Sequence, residues 1–105
     1  MATTITGSNL PEAVRITLSG TPNEATKVNV PAYVATTSVA AIAVDSKVAF
    51  TGTDGSAIGS AYLTVPAGSM LELSMMDGLG ESTRITAIYV ASATASAVVE
   101  VVVEG

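Results

Sequence analysis

A two-residue period constrains this chain more than any other feature. Val14, Ile16 and Leu18 face one way while Arg15 and Thr17 face the other. Val28, Val30, Ala32 and Val34 oppose Lys27, Asn29 and Tyr33. Val48 and Phe50 alternate with Lys47 and Thr51, and Ala61, Leu63 and Val65 with Tyr62 and Thr64. Leu71, Leu73 and Met75 alternate with Glu72 and Ser74. Ile88 and Val90 flank Tyr89, and Val99, Val101 and Val103 flank Glu100 and its neighbours. Successive side chains of a strand point to opposite faces, so this alternation is the mark of half-buried strands. The stretch 39–44 is Ala-rich and fits either class, with Ile42 and Val44 arguing for a strand.

The breaks between segments agree. Gly20-Thr21-Pro22-Asn23, Asp45-Ser46, Thr53-Asp54-Gly55-Ser56, Pro66-Ala67-Gly68-Ser69 and Asp77-Gly78-Leu79-Gly80 are turn sequences, whose Asp, Asn and Gly accept the required dihedrals. About eight short strands at roughly ten-residue spacing predict an all-β, two-sheet β-sandwich, jelly-roll or Ig-like. Pro31 lacks a donor N–H and belongs at an edge or a bulge. The expected core is Val14, Ile16, Val30, Phe50, Leu63, Leu71, Leu73, Ile88, Val90 and Val101, with Phe50 its largest wholly apolar side chain. With 105 residues the chain makes one domain. Residues 11–105 are expected to form the sandwich. Residues 1–10 lack a core pattern and are expected to be an arm, orderable on a neighbour and removable with little effect on the thermal transition.

Composition narrows the chemistry. Cys, His and Trp are all 0, so thiolate chemistry, a histidine base and a His/Cys metal site are excluded. Net charge is −5, and Arg15, Lys27, Lys47 and Arg84 are scattered, which argues against neutralising nucleic-acid phosphates. The first residues, MATTITGSNLPEAV, carry neither a basic nor an apolar signal region, so synthesis in the cytoplasm is expected. The stretch 85–103 is long and apolar enough for a membrane span, but Glu100, Ser92, Thr94 and Ser96 lie inside it. Its Val98 to Val103 run is β-branched, so two strands are expected and no membrane partner.

Few residues carry a case for chemistry. Asp54 and Asp77, with Glu81, stand on turns where oxygen ligands for Ca²⁺ are conceivable, yet the EF-hand spacing is missing and turn preference explains both aspartates. Glu72 and Glu100 fall on solvent faces, where charge discourages edge-to-edge pairing. Ser46-Lys47 would need a buried lysine to act as a nucleophile pair, and Lys47 alternates outward. Gly78-Leu79-Gly80 is half of a dinucleotide fingerprint with no helix after it. No metal, cofactor or catalytic residue is expected, and the chain reads as a non-enzyme. Met70, Met75 and Met76 suit core filling, while Met76 with Leu79 also suits a loop that docks on a partner. Tyr33, Tyr62 and Tyr89 fall on polar faces, where tyrosine makes a good interface anchor. The interface candidates are therefore Tyr33, Tyr62, Tyr89, Met76 and Leu79.

Charged residues are only 12%, where an average domain has about 25%. Outward positions are mainly Thr, Ser, Ala and Asn. Such a surface suits coverage by copies of itself or by a scaffold. The segments LTVPAGSMLEL and RITAIYVASATASAVVEVVVEG resemble small β-sandwich virion proteins of tailed bacteriophages. There, a Val-Pro-Ala-Gly turn leads into a Leu-rich strand, followed by a closing hairpin of Ile-Tyr-Val, a Ser/Ala/Thr turn and a Val strand. The resemblance implies a virion location after synthesis in the host cytoplasm. It also implies a capsid decoration or cement role exerted by protein–protein contacts with a major capsid or other virion protein. Head-fibre, tail or connector components, or a carbohydrate- or receptor-binding module, are the alternatives. A homo-oligomer follows from the low charge, and a trimer from the resemblance.

Overall fold

A computed structural model describes residues 2–5, 11–31, 34–75 and 85–104. Nine strands are defined among them: β1 (Thr3–Thr4), β2 (Glu12–Thr17), β3 (Thr26–Asn29), β4 (Thr36–Ala41), β5 (Ser46–Ala49), β6 (Leu63–Val65), β7 (Met70–Ser74), β8 (Ala87–Ala91) and β9 (Val98–Glu104). They form two sheets, one ordered β1-β3-β8-β5-β6 and the other β2-β9-β4-β7. The all-β two-sheet sandwich expected from the period is therefore the fold. The eight expected strands are β2 to β9, and β1 is an addition.

The pairing is nested. β2 pairs with β9, β3 with β8, β4 with β7 and β5 with β6, all antiparallel. This is the strand order of a jelly roll, one of the two topologies the period left open. Every connection between successive strands crosses from one sheet to the other, except the one from β5 to β6. The stretch 85–104 is therefore not a closing hairpin. β8 lies in the five-stranded sheet and β9 in the four-stranded one, and the connection between them arches over the end of the sandwich. Ser92 holds that arch: its buried hydroxyl donates to the Asp45 carbonyl and accepts from the Thr94 N–H. Among the described residues no helix is long and apolar enough to cross a membrane.

The core lies between the sheets. Val28, Val39, Val48, Val65, Ile88, Val90, Val99, Val101 and Val103 are almost wholly buried. Ile16, Val30, Leu73, Ile88, Val90 and Val101 take the expected core places, with Val14 and Leu71 packed against them half-buried. Two expectations are corrected. Phe50 is 41% exposed, because the chain bends out of the sheet directly after Ala49. Leu63 is 47% exposed, because it opens a three-residue strand at the end of its sheet. A third correction concerns the first residues. β1 runs parallel to β3, the Ile5 N–H donates to the Asn29 carbonyl, and the Ile5 side chain is 2% exposed in the core.

Candidate functional site

Among the described residues, the segment 50–62, between β5 and β6, is the longest excursion from a sheet, and it covers part of the outer face of the five-stranded sheet. It leaves β5 and passes over β8, where Gly52 lies flat on Tyr89. A Cβ there would stand 3.2 Å from the Tyr89 ring, so glycine permits the approach. Residues 54–58 then reach the far side of β3. The Ala25 N–H donates to the Ser56 carbonyl, the Gly55 N–H to the Ala25 carbonyl, and the Ile58 N–H to the Asn23 carbonyl. The Lys27 N–H donates to Asp54 Oδ1 at 2.9 Å. β1 occupies the next stretch of the same β3 edge. Two segments remote in sequence thus close one end of the sheet, which is the physical remedy for an exposed ladder.

The segment returns to β6 across Lys47. The Lys47 amine donates to Asn23 Oδ1 at 2.8 Å and stands 4.9 Å above the Tyr62 ring. This is cation–π geometry, and it ties the strap to the sheet. Lys47 is thereby engaged, and among the described residues the buried Ser46 hydroxyl has no hydrogen-bond partner. Ala49, on the outer side of β5, is buried beneath the strap even though Val48 is buried on the inner side.

The expected interface residues separate. Tyr62 is 37% exposed at the margin of the strap, beside Phe50 and Leu63. These three, with Ala61 and Ser60, line a shallow groove of about 310 Å³. Tyr89 is half-buried, its ring spent on Gly52. Tyr33, Met76 and Leu79 lie outside the described residues. Met75, next to Met76, is fully buried in the core. The sequence period missed Phe50, Leu63 and Met70 as surface residues, since alternation assigns a face but not whether a neighbouring sheet covers it. Among the described residues Met70 is the most exposed large apolar side chain, at 63%, and it begins β7 at the end of the other sheet.

Two loop carboxylates hold the backbone. Asp54 fixes the β3 edge, and Asp45 Oδ1 accepts from the Ala67 N–H in the β6–β7 turn at 2.8 Å. Asp77 and Glu81 lie outside the described residues. Among those described, no three acidic side chains gather as a metal site would require. Glu100 takes the Arg15 guanidinium at 2.6 Å on the outer face of the four-stranded sheet, and Glu72 is exposed on the same sheet. A second hollow of about 400 Å³ lies where the 42–45 and 92–97 connections meet. Its walls are Ile42, Val44, Ala97 and Val98, and the charge at its rim is Arg15, already paired. Its polar side chains are Thr94 and the paired Arg15. Neither a family model, nor a curated protein, nor a solved structure matches the chain.

Proposed function

We propose that this chain is a structural protein of a tailed-bacteriophage virion, a capsid decoration or cement protein that stabilises the head by protein–protein contacts. The observation that carries the reading is its surface. Apolar side chains as large as Phe50, Leu63 and Met70 stand exposed on a domain with only 12% charged residues. A domain that works free in solution gains from charge on those positions; one that works covered by neighbours does not. The likeness of LTVPAGSMLEL to phage virion proteins supplies the kind of neighbour, although the final strands do not form the closing hairpin that the likeness implied. The chain acts as a homo-oligomer, by the same likeness a trimer, and needs no cofactor for this work.

Phage heads assembled without the chain test the reading. The purified protein is expected to cosediment with them at a fixed ratio to the major capsid protein and to raise the temperature at which they release DNA. Heads that neither bind the protein nor gain heat resistance would exclude the decoration role.

A further inference from the structure

We draw no further inference here: the strongest candidate, the apolar hollow of about 400 Å³ where the 42–45 and 92–97 connections meet, has its one charged side chain, Arg15, already paired with Glu100, and nothing in the structure shows what covers its Ile42, Val44 and Val98 walls.

Discussion

Ile88 and Phe50 show why a residue's face and its depth are separate properties. Both sit on the apolar phase of their segments, yet Ile88 is fully buried between the sheets and Phe50 is 41% exposed. Removing a buried aliphatic side chain costs its transfer energy and leaves a cavity, about 2–5 kcal/mol for Ile→Ala. Ile88→Ala should fall in that range in urea unfolding. Phe50→Ala removes a ring that already meets water over much of its surface, and should cost about 1 kcal/mol or less. A Phe50→Ala loss as large as that of Ile88→Ala would place the ring inside the core. The alternation of Val48 with Lys47 places Phe50 inward by count; what it does not carry is that the chain bends away after Ala49.

At the scale of elements, the strands were legible because each buries a face against the other sheet, and that leaves a period in the residues. β9 is the clearest case: Val99, Val101 and Val103 are buried, while Glu100 meets Arg15 on the other face. β1 left no such mark. It is two residues long, and Ile5, directly after it, is the one buried side chain of that segment, so no repeat could form. The strap of residues 50–62 was equally silent, since it is held by backbone hydrogen bonds and by Asp54, Lys47 and Gly52 acting singly. Of the candidate site, Tyr62 was legible as a tyrosine on a polar face; the groove it forms with Phe50 and Leu63 was not, because it depends on where the chain bends out of the sheet after Ala49. Ile5 makes the correction measurable. Ile5→Ala should lower stability by about 2 kcal/mol or more, which for a domain of this size is a fall of about 10 °C in the melting temperature. An unchanged midpoint would return residues 2–5 to the status of a removable arm.

For the molecule as a whole, the nested pairing means that the chain closes from both ends. Glu12 lies opposite Val103, and Thr26 opposite Val90. β9 stands between β2 and β4, so half of its sheet cannot form until the last strand is in place. The innermost pair, β5 with β6, is the one pairing between successive strands, and even it encloses the strap. Loop-closure entropy is therefore lost before most ladder bonds and core contacts form, and sequence-distant pairing of this kind folds in milliseconds to seconds. Stopped-flow refolding should give a rate of about 1–100 s⁻¹, well below that of a helical bundle of the same length. Because the chain holds 4 prolines, unfolding should be interrupted after a short delay, before their bonds isomerise, so that the fast phase alone reports topology. Val101→Ala removes contacts that form when β9 docks across both neighbours. If that docking is the late step, the variant should mainly speed unfolding and leave the folding rate nearly unchanged. A folding rate that falls in proportion to the lost stability would instead put β9 in the nucleus, with the two ends of the chain meeting first.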